Sequence, residues 1–223
     1  MALPEHLSKT PVGREPLARE VIDAHKRERI VAVAIEVFAK RGYRATTIEH
    51  IVAAAQVAVG SFYALFEGKE GCFLHCFDAV VAEATESTIA AVPDGASWGE
   101  SVSAALAFLL DSIAAAPLRA RIVFVEAQAT GAAAEARYEA TLDDVASSLR
   151  RGRELSSAAA GLPRGFERTT LAGLAWLIHQ RLVGAEPEKV PELFPEVAEI
   201  LLEPYLGEDE ASRLLAVVPG AGT

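Results

Sequence analysis

The chain has 223 residues, 51% of them hydrophobic, enough for one large domain or for a small module joined to a larger body with a sizeable core. It holds no run of about 18 apolar residues, which argues against a membrane-spanning helix, and its N-terminal stretch lacks the apolar core of a secretory signal. The formal net charge of −10 is unevenly spread: residues 1–80 carry ten Lys/Arg and ten Asp/Glu, residues 81–223 eleven against twenty-one. An acidic body repels DNA, so any nucleic-acid contact is confined to the N-terminal part. Two cysteines, Cys72 and Cys76, give no disulfide framework and fit a reducing cytoplasm.

Residues 1–18 hold three prolines, a glycine and mixed charges, and read as a mobile arm. A first helix is predicted over 20–41, where Ile30, Ala34, Val37 and Phe38 recur at helical spacing and Gly42 ends the run after Lys40 and Arg41. Thr46-Thr47-Ile48-Glu49 then reads as a capping box with Thr46 as the cap. It opens a short helix over 47–55, with Ile48, Ile51, Val52 and Ala55 facing inward. Gln56-Val57-Ala58 is a tight break, and a third short helix runs from Val59 to Phe66 with Phe62 and Phe66 one turn apart. Three short helices with a tight turn between the last two describe a helix-turn-helix. Such a turn braces the third helix steeply enough to enter a major groove about 12 Å wide.

The remaining elements are also helical: 69–91, 98–115 with Ser97 and Glu100 as a capping box, 118–129 after Pro117, 132–157, 165–184, 188–205 and 208–217. No sustained alternation of period two marks a strand. The fold class is therefore all-α. A helix-turn-helix domain at 19–67 precedes a larger helical domain at 68–217, and 218–223 form a tail.

Residues 27–78 resemble the DNA-binding region of TetR-family transcriptional repressors. The resemblance is carried by Phe38, Gly42, Thr46-Thr47, Ile51, Ala54, Ala55, Val57, Gly60-Ser61-Phe62-Tyr63, Phe66 and Lys69-Glu70. The segment 186–207 is similar, less specifically, to the C-terminal part of many members. Two positions depart from the family pattern: Gln56 stands where glycine is usual, and Ala58 where serine often caps the third helix. A left-handed backbone at Gln56 would cost about 1–2 kcal/mol, and the missing cap roughly 1 kcal/mol.

The resemblance implies a homodimer bound to double-stranded operator DNA and released by a small-molecule inducer. In that scheme Tyr63, Lys69, Thr46 and Thr47 contact phosphates. Gly60 allows close approach, Val59 and Ser61 reach base edges, and Arg44 is a further candidate for a phosphate or minor-groove contact. Two recognition helices would lie one DNA turn apart, about 34 Å, on a palindromic site. The dimer would form through the last two long helices. The stripes Leu171, Leu174, Ile178, Leu182 and Val190, Leu193, Val197, Ile200, Leu201 either make that interface or face the domain's own core.

Candidates for an inducer pocket are Phe77, Trp98, Phe108, Phe124, Glu126, Gln128, Tyr138, Trp176 and His179, and an apolar pocket would suit a hydrophobic molecule. Glu126 sits in an apolar stretch and needs a partner if buried, whether Arg181, His179 or a ligand. Two other readings use the same residues. Cys72 and Cys76 share a helix face beside His75 and could serve a metal or redox sensor, or be plain buried side chains. An all-helical enzyme would use Glu126, Tyr138 and His179 as acid and base, but no spacing requires it. No metal, cofactor or catalytic constellation is expected, nor a membrane partner.

Overall fold

The computed structural model describes residues 15–217, all of whose regular elements are helical. Helix α1 (Glu15–Arg41) starts at Glu15 and so takes in the last residues of the expected arm. The rest of that arm and the 218–223 tail lie outside the described residues. Helices α2 (Ile48–Ala55) and α3 (Val59–Tyr63) follow, then α4 (Gly68–Ala90), which runs from the small module into the body. The third helix stops at Tyr63, three residues short of the expected end, and Phe66 closes the turn by donating its amide to the Phe62 carbonyl at 2.9 Å.

The body holds α5 (Trp98–Ala115), α6 (Pro117–Arg121), α7 (Ala127–Thr130), α8 (Ala132–Leu149), α9 (Ser157–Ala160), α10 (Phe166–Val183), α11 (Phe194–Leu206) and α12 (Glu208–Val217). Pro117 opens α6, and the residue before a proline is pushed out of the helical region, as Ala116 is at φ −130° and ψ 59°. The chain therefore turns by 102° between α5 and the α6–α7 rod. That rod is not one α-helix. Residues Ile122–Glu126 form a π-helical segment in which the amide of Ala127 reaches back five residues to the Ile122 carbonyl. The expected helix over 132–157 is α8 followed by a 3₁₀ turn, Arg150–Glu154. The expected helix over 188–205 begins only at Phe194, because prolines 187, 191 and 195 break the approach into two 3₁₀ turns.

Two apolar cores result. The first joins α1–α4 to the π segment through Ile30, Ala34, Phe38, Ile51, Phe62, Phe73, Phe77 and Ile122, all at most 1% exposed. The second joins α5, α8, α10, α11 and α12 around Leu110, Ile178, Val190 and Leu202. Phe124, on the π segment, packs against both. The stripes Leu171/Leu174/Ile178/Leu182 and Val190/Leu193/Val197/Leu201 are all buried within this second core. They are the domain's own packing, not the free surface that an interface needs; of those residues only Ile200 is exposed. The exposed apolar face of α10 is instead Trp176, Leu177 and Val183.

Candidate functional site

The small module presents one outward face, built by α2, the turn and α3. Thr47, not Thr46, caps α2. The Thr47 hydroxyl accepts the His50 amide at 3.4 Å, and His50 Nδ1 accepts the Thr47 amide at 3.2 Å. Thr46 is 1% exposed and donates its hydroxyl to the Gly42 carbonyl at 2.8 Å. That removes the hydroxyl from any outside partner, so Thr46 is a pin for the α1–α2 loop and not a phosphate contact. Gln56 is left-handed at φ 54°, ψ 47°, the conformation its position predicted, and Ala58 offers α3 no side-chain cap.

Helix α3 has one turn to anchor itself, and it does so with aromatics. Phe62 is fully buried and lies 5.0 Å from Phe66, centroid to centroid. This leaves Val59, Gly60 and Tyr63 outward, Tyr63 being 59% exposed and edge-on to Phe62, with Ser61 half-buried. Arg44 and Thr47 are exposed on the same module. Lys69, from the first turn of α4, donates to the carbonyls of Tyr43 and Thr46, both at 2.9 Å, and lies 4.2 Å over the Tyr43 ring. Two of its three donors therefore brace the α1–α2 loop from below, which the sequence pattern did not reveal.

A second site lies inside the body. A cavity of about 810 Å³, open to solvent on one side, is bounded by α4, α5, α6, the π segment, α8, the 3₁₀ turn after it, α10 and α11. Its walls are apolar, with Leu106, Leu109, Phe124, Leu142, Leu174 and Ile178 among them. Trp98, Phe108, Phe124 and Tyr138 line it as expected. Five other expected residues do not. Phe77 is buried in the first core, where its helix packs against α1. Trp176 is 56% exposed on the outer face of α10 and stacks on His179 at 5.3 Å. Glu126, Gln128 and His179 line a different, shallow cleft of about 460 Å³ between the module and the body.

Glu126 shows why that cleft matters. It is 5% exposed, yet its partner is neither Arg181 nor His179. One carboxylate oxygen accepts the amide of Tyr43 at 2.7 Å, and the other faces Arg121 at 3.4 Å. Arg121 also donates to the carbonyl of Ala39 at 3.3 Å and of Leu182 at 3.1 Å. This pair thus ties the end of α1, the α1–α2 loop and the end of α10 to the π segment whose Phe124 lines the cavity. His179 Nδ1 lies 2.8 Å from the Phe124 carbonyl, which can only accept, so this nitrogen carries the proton. Tyr138 lies in the cavity and the other two in the cleft, so the three acid–base candidates do not converge.

Residues 30–76 match the family model described as bacterial regulatory proteins, tetR family. The N-terminal module thus matches the TetR family over 47 of the 223 residues. The chain is 43% identical over 49 residues to the uncharacterized HTH-type transcriptional regulator YerO of Bacillus subtilis (strain 168), a match covering 22% of this chain and 17% of that protein. Beyond it the likeness is one of fold. The fatty acid degradation regulator FadR from Bacillus halodurans superposes with a TM-score of 0.70 at 20% identity, over 79% of this chain and 94% of that one. FadR from Bacillus subtilis, solved in complex with stearoyl-CoA, gives 0.56 at 18% identity, over 81% and 98%. A TetR-family regulator (ECA1819) from Pectobacterium atrosepticum gives 0.61 at 21%, over 84% and 97%.

The two cysteines are packing. Cys72 and Cys76 are fully buried, and Cys76 donates to the Val31 carbonyl at 3.7 Å. The hydrogen bond to Cys72 and burial hold the Cys76 thiol well above its ordinary range. His75 turns away from both sulfurs onto the Phe66 ring. A protonated, enclosed thiol is a poor nucleophile and a poor metal ligand.

Proposed function

We propose that this chain is a TetR-family transcriptional repressor. It binds a palindromic DNA site as a homodimer and leaves it when an apolar molecule fills the body cavity. The observation that carries the reading is the α2–α3 face: a short helix anchored by Phe62, with Val59, Gly60 and Tyr63 free to meet a duplex. Tyr63 and Thr47 then contact phosphates, Val59 and Ser61 read base edges, and Arg44 adds a cation at the margin. Lys69 acts chiefly by holding the loop that presents Thr47, with one donor left for a phosphate.

A second copy fits the outer face of α10. Trp176, Leu177 and Val183 form an apolar patch that a monomer leaves in water, and a two-fold axis there makes the patch its own partner. Ligand and DNA are coupled through the π segment. Phe124 faces the cavity, while Glu126, on the same segment, holds the Tyr43 amide of the module. A ligand that moves Phe124 therefore strains the clasp on the loop between α1 and α2. The shift cannot exceed the ligand's preference for one state over the other. The apolar cavity and the stearoyl-CoA bound by one fold neighbour both favour a ligand with a long hydrocarbon part.

Binding to genomic fragments, measured against salt, tests the reading. With Arg44 and Lys69 as the cations of each copy, a dimer neutralises about four phosphates and gives a log–log slope near −4. Tyr63→Phe removes one hydrogen bond per copy and weakens binding to every duplex by about tenfold, whereas Ser61→Ala changes the order of preference among duplexes. Unaltered affinity in Tyr63→Phe sinks the assigned interface.

A further inference from the structure

The charges at the ends of the body cavity carry an inference about what fills it, and it rests on the reading of that cavity as a ligand site. Helix α5 lines the cavity from Trp98 to Ser112, a run of about 20 Å at 1.5 Å per residue. The space is therefore a long slot, and its middle is apolar. Three charged side chains line it: Glu83, Arg119 and Arg151. Glu83 and Arg119 pair with each other near the C-terminal end of α5 and cancel.

Arg151 sits at the opposite end. Its neighbour Gly152 lies so close to the Trp98 ring that a Cβ there would stand 2.5 Å from it, which fixes the 3₁₀ turn against the start of α5. Arg151 Nε donates to the Ser148 carbonyl at 3.4 Å. Among the described residues no carboxylate lies within ion-pair distance of Arg151, although its neighbours Arg150 and Arg153 both face Glu167. Arg151 is exposed, and in a region of twenty-one acids against eleven bases it is one of two bases, with Arg164, that have no carboxylate within ion-pair distance among the described residues. The Ser101 and Ser148 side chains also line the cavity.

We propose that the slot takes a linear amphiphile with an anionic head, seated on Arg151 beside Ser148, its tail running along α5 towards Phe124. A planar guanidinium matches a carboxylate or a phosphate with two parallel hydrogen bonds, whereas the Ser101 and Ser148 hydroxyls already donate to the Ser97 and Asp144 carbonyls. The polarity follows from the pairing: at the far end Glu83 already occupies Arg119. A tail long enough to span the slot presses on Phe124, and a shorter one does not reach it.

Calorimetry with three sixteen-carbon probes, each below its micelle concentration, tests the assignment: hexadecanoate, hexadecyl phosphate and hexadecanol. Both anions bind on the order of tenfold tighter than the alcohol, and the tighter of the two identifies the head group. Arg151→Gln closes that gap and leaves hexadecanol unchanged, while Arg151→Lys keeps most of it. An alcohol that binds as tightly as the anions, or a gap that survives Arg151→Gln, overturns the head-group assignment while leaving the cavity as a ligand site. Failure of all three probes to bind overturns the cavity reading itself, and the proposal with it.

Discussion

Gln56 carries the module's one identified backbone strain at the turn that matters most. A side chain in the left-handed region costs about 1–2 kcal/mol, and glycine recovers most of this while losing about 0.5–1 kcal/mol through its freer unfolded chain. Gln56→Gly therefore stabilises the protein by about 0.5–1 kcal/mol, a rise in thermal midpoint of roughly 2 °C for a chain of this size. A differential scanning experiment reads it directly, and a fall in midpoint contradicts the account. The same turn shows what residue types disclose alone. A left-handed residue at position 56 was legible only through the family resemblance, in which glycine is usual there. Which of two adjacent threonines caps α2 was not. Thr46 and Thr47 are alike in sequence, and the choice falls to Thr47 because the Gly42 carbonyl claims the Thr46 hydroxyl.

At the scale of elements, the short helices α2 and α3 were readable because their apolar spacing and turn residues are local. The π segment was not. It moves Glu126 off the ordinary helical phase, so that it meets Arg121 five residues earlier and Tyr43 from another element. The sequence left Arg181, His179 or a ligand as the partner of Glu126, and both of those residues pair elsewhere. A second buried carboxylate fastens the start of α10. Burial would raise the pKa of Glu167, but hydrogen bonds from Arg153, its own backbone amide and the Tyr205 hydroxyl outweigh this and hold it at about 2. A folded-state pKa below the unfolded value stabilises the native state above the unfolded value. That contribution is lost as pH falls from about 4.5 towards 2. Glu167→Gln leaves Arg153 without its counter-charge, costs about 3 kcal/mol at neutral pH, and flattens the acid limb of a stability–pH curve. An acid limb unchanged by this substitution shows that the pair does not carry the acid sensitivity.

For the whole molecule, the question is which apolar faces the fold uses up. Helices α10 and α11 turn their leucine-rich stripes into the second core, and α10 then has Trp176, Leu177 and Val183 left outside. Trp176→Glu places a charge at the centre of that face. In the proposed dimer this substitution gives a monomer in sedimentation at micromolar concentration and weakens binding to the proposed operator by well over tenfold, since each copy would supply one recognition helix. A variant that sediments as a dimer moves the interface elsewhere.

The sequence by itself determined the helix count of the module, its turn and its aromatic anchors. All of these depend on neighbours within a few residues along the chain. It also determined that the acidic excess lies away from the module. Tertiary structure alone decided which stripe of α10 is core and which is free, which aromatics line the cavity, and what the buried Glu126 holds. Those outcomes turn on contacts between segments distant in sequence. An apolar stripe at helical spacing declares a packing face, but packing decides what it meets and which members, such as Ile200, stay outside.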